Sequence, residues 1–162
     1  MITSEKPCTH ALRILLEDHE LFRENFKKFE NTSGQKRRKI FEDTLERLVI
    51  HATLEEELIY PLIEDKAPDM VKEGIEEHHA ANLLIEELKN MTMEDKRCET
   101  KFHVLSEMIE HHLDEEEEDT FEAFEKLEID FEELGIKMDK RKRELMKEIS
   151  GIKEMEVHRA ES

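Results

Sequence analysis

The chain has 162 residues, which is enough for one domain. Acidic residues outnumber basic ones by 43 to 25, and the formal net charge of −18 excludes a nucleic-acid-binding protein, which needs a basic face. No apolar run approaches the ~20 residues of a membrane span, and no signal-peptide core follows Met1, so we expect a cytoplasmic protein without a membrane partner. Cys8 and Cys98 are isolated, and they predict neither a disulfide framework nor a cysteine-based zinc site.

Four helices are predicted in chain order from apolar residues at three- and four-residue spacing. The first runs from about residue 9 to residue 30, and residues 31–34 form a turn. The second continues to about residue 66, with a kink expected at Pro61 because proline removes a helical hydrogen-bond donor. The third begins near Pro68. The fourth opens at a capping box of Thr92 and Asp95 and ends near residue 127.

Short connections between these helices predict an all-α fold, an antiparallel up-down-up-down four-helix bundle over residues 1–130. Residues 131–162 are expected to add an accessory C-terminal helix, centred on the charged stretch 137–149, and a frayed tail beyond Gly151. The inward stripes are predicted to include Leu58, Leu62, Ile75, Ala123 and Leu127.

A His-xxx-Glu pair occurs on the second helix as His51 and Glu55 and again on the fourth as His112 and Glu116. Side chains four residues apart in a helix project from adjacent turns of one face, so each pair aims an imidazole and a carboxylate in the same direction. Imidazole and carboxylate together suit iron, manganese and zinc. Two such pairs on facing helices therefore indicate a two-metal site.

The spacing alone is weak, because His103 and His111 also have Glu at i+4. These two histidines fall outside the apolar stripe and are predicted to lie on the surface, as are His10 and His158. His51 and His112 instead lie within the stripes of their helices.

Two further histidines fall within apolar stripes, one on each of the remaining helices. His19 fills the missing step of the first stripe, and His78, rather than His79, fits the third. With a rise of about 1.5 Å per residue, the four inward histidines fall within about two turns of a common level in the bundle. The geometry therefore permits one shared site.

Buried carboxylates need a positive partner, because an unpaired buried charge costs several kcal/mol. A metal centre is the preferred compensation for Glu55 and Glu116, and a buried network of protonated histidine and glutamate is the alternative. Four imidazoles and two carboxylates are too many ligands for one zinc ion and too rich in nitrogen for calcium or magnesium. They suit two iron ions bridged by the carboxylates, with a manganese or mixed pair as the secondary choice.

Four segments resemble, in order, the motifs of the hemerythrin-like HHE cation-binding domain, over roughly residues 9–127. They are Leu16-Glu-Asp-His19, His51-Ala-Thr-Leu-Glu55-Glu-Glu-Leu-Ile-Tyr60-Pro61, Ile75-Glu-Glu-His78 and His112-Leu-Asp-Glu-Glu116. The resemblance implies a non-haem di-iron centre, commonly with an oxo or hydroxo bridge. The terminal ligands would be His19, His51, His78 and His112, and the bridges would be Glu55 and Glu116.

The chain departs from the oxygen-carrying members of that family at two positions. Gly74 stands where they have an additional histidine, and Glu116 stands where they have aspartate. A lost imidazole opens a coordination position and favours ligand exchange or redox turnover over oxygen carriage. The space left at Gly74 could be filled by a water molecule, by Glu73 or by Glu77.

The sequence thus predicts a protein that binds or reduces a small ligand such as O₂, NO or H₂O₂. An external electron donor would be needed for turnover, since no flavin or dinucleotide motif is present. Whether the protein is an oxidoreductase stays open at this point. The alternatives are an iron or oxygen sensor, an iron-handling module similar to iron–sulfur repair proteins, and a helical interaction protein without metal.

Overall fold

The structure, a computed structural model, describes residues 9–161, and within them the side chains of 154 and 156–161 are not described. Cys8 and the side chain of His158 therefore lie outside the described residues. Five continuous helical segments follow one another, and they are called α1 to α5 here. They comprise α1 (His10–Glu30), α2 (Gly34–Leu54, Glu55–Ile59 and Tyr60–Ile63), α3 (Pro68–Lys89), α4 (Lys96–Glu115, Glu116–Thr120 and Phe121–Glu125) and α5 (Phe131–Glu161).

The predicted all-α bundle with an accessory C-terminal helix is confirmed. Helices α1 to α4 contact one another in ring order, and α5 packs along α1 and α2. The connections at residues 31–33, 64–67 and 90–95 are short, so successive helices run antiparallel. Gly34 permits the first reversal, since its φ of 63° lies in the left-handed region that favours glycine. Within the described residues, none of the helices has the length and apolar character needed to cross a membrane.

Helices α2 and α4 each contain one π-helical turn that begins at the glutamate of a His-xxx-Glu pair. The turns span Glu55–Ile59 and Glu116–Thr120, and they close with bonds from Tyr60 N–H to the Glu55 carbonyl and from Phe121 N–H to the Glu116 carbonyl. Such wide turns insert one extra residue into an α-helix and are frequent at functional sites. The wide turn of α2 ends at Ile59, two residues before Pro61, where the sequence predicts a kink.

The π turns explain why several of the predicted inward positions beyond residues 55 and 116 are wrong. One extra residue rotates every later side chain by about 100°. Leu62 is consequently 39% exposed. The buried apolar positions of α2 beyond Glu55 are Ile59, Tyr60 and Ile63. Ala123 in α4 and Leu127, two residues after its end, are only partly buried. The core positions of this segment are Thr120, Phe121 and Phe124.

Two apolar clusters occupy the two ends of the bundle interior. One contains Phe22, Phe26, Phe29, Phe41 and Phe102 with their aliphatic neighbours. The other contains Leu12, Leu15, Phe121, Phe124, and Met138 from α5. The layer between them holds the buried histidines and glutamates. Apolar packing on both sides fixes the height of that layer in the bundle.

Several local expectations need correction. Helix α5 begins at Phe131 and continues past Gly151 to Glu161, so the frayed tail is not observed within the described residues. The amino terminus of α4 is capped by Asp95, whose side chain accepts from Arg97 N–H, and not by Thr92. Ile75 is 39% exposed. His10 is half-buried between α1 and α5, with Nε2 3.0 Å from Asp139, because α5 covers the face of α1 that appeared free in the sequence.

Candidate metal centre

Six side chains meet in the polar layer between the two apolar clusters, and all six were predicted as metal ligands. Each is at least 95% buried, and His19 and Glu55 are fully buried. We call them the central cluster; its members are His19, His51, Glu55, His78, His112 and Glu116. The structure shows that these residues converge, whereas their role as ligands stays a prediction.

Within the described residues, the central cluster divides into two groups that could each hold a metal ion. His19, His51 and Glu116 form the first group. Glu55, His78 and His112 form the second. In each group the three ligand atoms lie within 4.8 Å of one another. Each group therefore combines two imidazoles with one carboxylate, which is a suitable donor set for iron or manganese.

The two carboxylates also link the groups. Glu55 Oε1 lies 3.2 Å from Nε2 of His51 and 3.2 Å from Nε2 of His78, which belong to different groups. Glu116 Oε1 lies 3.3 Å from Nε2 of both His19 and His112, which also belong to different groups. Both carboxylates therefore lie between the two groups, as carboxylates that bridge two ions would.

The Nδ1 atoms of the histidines face carboxylates that lie outside the central cluster. Asp18 Oδ2 is 2.9 Å from Nδ1 of His51. Glu56 Oε2 is 3.3 Å from Nδ1 of His78. A carboxylate that accepts from Nδ1–H fixes the tautomer and leaves the Nε2 lone pair free for a metal ion, an arrangement typical of metal-bound histidine.

The remaining two histidines have equivalent neighbours. Glu77 Oε1 is 3.1 Å from Nδ1 of His112. Glu117 Oε2 is 3.6 Å from Nδ1 of His19, an ion-pair distance without an aligned hydrogen bond. Arg23 binds both carboxylate oxygens of Glu117 and thereby holds it in place.

These supporting carboxylates form a closed ring around the bundle. Each helix from α1 to α4 supplies one, directed at the histidine of the next helix, and α4 returns to α1. Every member is adjacent in sequence to a residue of the central cluster, a signal that sequence reasoning missed. The ring consists of Asp18, Glu56, Glu77 and Glu117.

Most of the unpaired buried polar atoms of the described residues lie in the central cluster. They include Nε2 of His51, both oxygens of Glu55 and Oε1 of Glu116. Both ring nitrogens of His19 also lack an aligned hydrogen bond. Leaving a buried polar atom unpaired costs about 1–3 kcal/mol. Metal ions at this point would use these lone pairs, so the residues present fit a metal centre.

Protons can compensate the buried charges in the metal-free protein. Burial lowers the pKa of His51, but the charge of Glu55 and the hydrogen bond to Asp18 together raise it well above its ordinary value. Burial opposes protonation of His112 as well, yet Glu116 and Glu55 raise its pKa to about 11.

The pKa values of the two glutamates move in the opposite direction. Burial raises the pKa of Glu55, but His51 lowers it well below its ordinary value. Burial and the Glu55 carboxylate both raise the pKa of Glu116, and contacts with His112 and His19 lower it. Without metal, these pKa shifts favour the charged forms of the two histidines and the two glutamates, so protons compete with metal for the two imidazoles.

Tyr60 occupies the space at Gly74, for which the sequence had left water, Glu73 and Glu77 as open candidates. A Cβ atom placed on Gly74 would lie 2.6 Å from the Tyr60 hydroxyl oxygen. That oxygen is 3.4 Å from Oε2 of Glu116 and 3.5 Å from Nε2 of His78. The absence of a side chain at position 74 therefore allows a buried phenol to reach the central cluster.

A cleft of about 220 Å³ leads from the surface between α3 and α4 to the central cluster. Tyr60, His112 and Glu116 line its inner end. The remaining lining includes carboxylates and no lysine or arginine. We call it the acidic cleft. A small molecule or a cation can approach the centre through it.

Helix α5 is connected to the central cluster through a buried carboxylate. Lys142 Nζ lies 2.6 Å from Oδ1 of Asp18, whose other oxygen is bonded to His51. Burial raises the pKa of Asp18, but the hydrogen bond with His51 and the charges of His51 and Lys142 lower it. Sequence reasoning did not find this connection, since nothing in the sequence places Lys142 beside α1.

Two of the histidines that were excluded from the site, His103 and His111, lie at the surface, as predicted. The side chains of His103 and His111 are 56% and 70% exposed, and each pairs with its own i+4 glutamate. His79 is exposed, whereas His78 is buried. The position of a histidine relative to the apolar stripe therefore distinguished inward from outward histidines, whereas the i+4 spacing to glutamate did not.

Comparison with known proteins gives one family and one similar structure. The family model described as hemerythrin HHE cation-binding domain matches residues 10–124, which span α1 to α4. A crystal structure of a hemerythrin HHE cation-binding domain-containing protein from Mycobacterium kansasii is similar, with a TM-score of 0.72 and 25% sequence identity. The similarity covers 82% of this chain and 85% of that chain. No curated protein matches the chain.

Proposed function

Because this chain belongs to the hemerythrin HHE cation-binding domain family, we propose that its central cluster binds two iron ions that bind or reduce a small ligand. His19, His51, His78 and His112 would bind through Nε2, and Glu55 and Glu116 would bridge the ions. A manganese or mixed pair is the secondary assignment, since the same donors suit manganese.

One observation supports the proposal above the others, namely the direction of the four imidazoles. Each Nδ1 faces a supporting carboxylate, and each Nε2 lies within 3.3 Å of Glu55 or Glu116. A network formed only to satisfy histidines would not need every Nε2 to converge on two bridging carboxylates. Metal coordination accounts for both features at once.

The acidic cleft favours small neutral ligands over anions. Its volume of about 220 Å³ suits a molecule of a few atoms, and its carboxylates repel negative charge. O₂, NO and H₂O₂ are neutral and small enough to reach Tyr60 and Glu116. Iron, when bound, would supply the redox chemistry, and the apolar clusters on both sides of the centre exclude water from those directions. Turnover would require electrons from an external donor.

Metal analysis with optical spectroscopy tests the proposal directly. Protein loaded anaerobically with Fe²⁺ should retain two irons per chain. After exposure to O₂ it should show charge-transfer absorption, and the anaerobic ferrous protein should show a changed visible spectrum when the neutral ligand NO is added. Less than one retained iron per chain, with no loss of metal on substitution of His112 by alanine, would contradict it.

Two glutamate variants provide a matched comparison. Glu55→Ala removes a bridging carboxylate and should lower the iron content, since a carboxylate present in both groups is lost. Glu107→Ala removes the i+4 partner of an exposed histidine on α4 and should leave iron content unchanged. Equal iron contents in the two variants would refute the assignment of inward and outward faces.

A sensor or iron-handling role is the second candidate, and the Lys142–Asp18–His51 connection favours it. Loss of metal would alter His51, and Asp18 would transmit the change to α5. If the protein is a sensor, bound metal should protect α5 from proteolysis, and the protein should show no catalytic turnover. An oxidoreductase should instead complete many cycles with peroxide or NO plus a reductant.

A further inference from the structure

A third group of potential metal ligands lies on the face formed by α3 and α4, and two of its members, Glu77 and Glu115, also line the acidic cleft. Glu77 on α3 and His111 and Glu115 on α4 each offer one ligand atom, and these atoms lie within 4.8 Å of one another. Nε2 of His111 is 3.1 Å from Oε1 of Glu115. The three side chains are accessible to solvent, unlike the central cluster, with exposures of 29%, 70% and 40%.

The cleft below this group is shaped by carboxylates from both helices. Its lining includes the acids Asp69, Glu73, Glu77, Glu115, Glu116 and Asp119. Clefts lined by one sign of charge raise the local concentration of counter-ions and accelerate their association by about 10–10³-fold. A divalent cation is therefore drawn to this opening, whereas anions are repelled.

One contact connects the cleft lining to the central cluster, and an unpaired oxygen lies at the inner end of the cleft. Glu77 is a supporting carboxylate, bonded to Nδ1 of His112. At the inner end, Glu116 is 98% buried, and its Oε1 lacks a hydrogen-bond partner among the described residues. A cation that leaves the third group thus has carboxylate oxygens along its path and an unpaired carboxylate oxygen at the end.

We propose that Glu77, His111 and Glu115 form an outer cation site that captures Fe²⁺ from solvent and delivers it through the acidic cleft to the central cluster. The delivery step rests on the proposed di-iron function, whereas cation binding at the outer site does not. Two carboxylates and one imidazole at an exposed position bind a cation weakly, and weak binding permits onward transfer.

The same helix carries a matched control for this site. His103 and Glu107 on α4 have the same spacing and a similar contact, with 2.8 Å between Nε2 and Oε1. They are also exposed, but no third group completes a ligand set with them among the residues that the structure describes. The control pair thus matches His111 and Glu115 in residue type and spacing, but it lacks a third ligand such as Glu77.

Mn²⁺ titration monitored by electron paramagnetic resonance tests the outer site itself. Chelator-treated full-length protein carrying His111→Asn and Glu115→Gln should bind one Mn²⁺ fewer than the wild type. Protein carrying His103→Asn and Glu107→Gln should match the wild type. This readout requires no iron at the central cluster.

Anaerobic stopped-flow mixing with Fe²⁺ tests delivery. The variant at the outer site should take up iron roughly tenfold more slowly, as expected when electrostatic capture is lost, and should reach the same final iron content. Identical Mn²⁺ binding, or identical uptake rates, in the two double variants would overturn the proposal. If the wild type retains no iron but the Mn²⁺ difference persists, the di-iron function and the delivery step fail together, and the outer cation site stands.

Discussion

The hydroxyl group of Tyr60 occupies the space that a side chain at position 74 would need. The separation of 2.6 Å between the Tyr60 oxygen and a Cβ atom on Gly74 is shorter than real contacts allow. The ring of Tyr60 stacks on His78, with centroids 5.5 Å apart, so the tyrosine cannot simply swing away. Position 74 and position 60 are therefore a coupled pair, and substitution at either changes the environment of the central cluster.

Substitution of Gly74 by alanine should destabilise the protein by about 1–3 kcal/mol, the usual cost of overpacking a core. The measurement is the free energy of unfolding in urea. Gly151→Ala is the control, because it is also helical and nothing lies within 4 Å of the added Cβ. The free energy of unfolding of that control should equal the wild-type value or exceed it by up to about 1 kcal/mol, since alanine is the better helix former. A stable Gly74→Ala protein would contradict the close approach.

Tyr60→Phe should preserve the fold and iron content but change ligand binding. The phenyl ring keeps its stacking on His78, and only the hydroxyl near Glu116 is lost. Iron-loaded protein should show a shifted visible absorption spectrum and a changed affinity for NO. A spectrum and affinity equal to those of the wild type would show that the hydroxyl does not face the bound ligand.

Asp18→Asn should lower metal affinity by about 10–100-fold, the usual effect of losing a carboxylate that supports a metal-bound histidine. The amide no longer accepts strongly from His51 and no longer pairs with Lys142. Competition with a chelator of known affinity measures the change. The neighbouring Glu17 is exposed, and Glu17→Gln should retain wild-type affinity. Equal affinities for the two variants would argue against the ring of supporting carboxylates.

Metal removal should make the stability of the protein fall as pH rises. The pKa of His112 is raised to about 11 from its ordinary 6.5, so its stabilising contribution is complete below pH 6.5 and is lost as pH rises toward 11. The pKa of Glu55 is lowered from 4.5, so its contribution is present above pH 4.5 and is lost only as pH falls through the folded-state value. Chelator-treated protein should therefore be most stable between about pH 4.5 and 6.5.

Urea denaturation of the chelator-treated protein at pH 6 and pH 9 checks the sign of that dependence. The His112→Gln variant should show a smaller difference between the two pH values. Metal affinity should change in the opposite direction and increase with pH, because protons on His51 and His112 compete with metal. Greater stability of the metal-free protein at pH 9 would refute the charge assignment.

Gly135→Ala should weaken the docking of α5 on α1. A Cβ atom at position 135 would lie 2.5 Å from ring atoms of His10 and would displace the ring that contacts Asp139. A loss of about 1–3 kcal/mol is expected, and His10→Ala in the same chain should recover most of it. Denaturant unfolding of the two single variants and the double variant measures the coupling. If the free-energy changes of the two single substitutions simply add in the double variant, the contact between position 135 and His10 is not the cause of the destabilisation.

The central cluster was predictable because none of its residues lies beyond the start of a π turn. His19, His51, His78 and His112 follow regular α-helical stripes, so a period of 3.6 residues places them inward. Glu55 and Glu116 begin the π turns and still keep that register. Several residues beyond them were misplaced, and Leu62 and Ala123 are examples. A π turn leaves little signal in one sequence, since its stability comes from the packing around it.

Contacts between helices could not be read from periodicity. Asp18 and Lys142 are 124 residues apart in the chain, and the docking of α5 brings them together. Glu77 was considered only as a substitute for a missing ligand, whereas it supports His112. Periodicity gives the face on which a residue lies but not the residue it meets on a neighbouring helix.

The sequence by itself determined the helical class, the order of the bundle helices and the inward set of four histidines and two glutamates. These follow from local periodicity and from the cost of burying charge. The tertiary structure alone decided the ring of supporting carboxylates, the place of Tyr60 over Gly74 and the connection from α5 to His51. Each of these depends on the rotation and relative height of packed helices, which are set by the two apolar clusters acting on all helices at once.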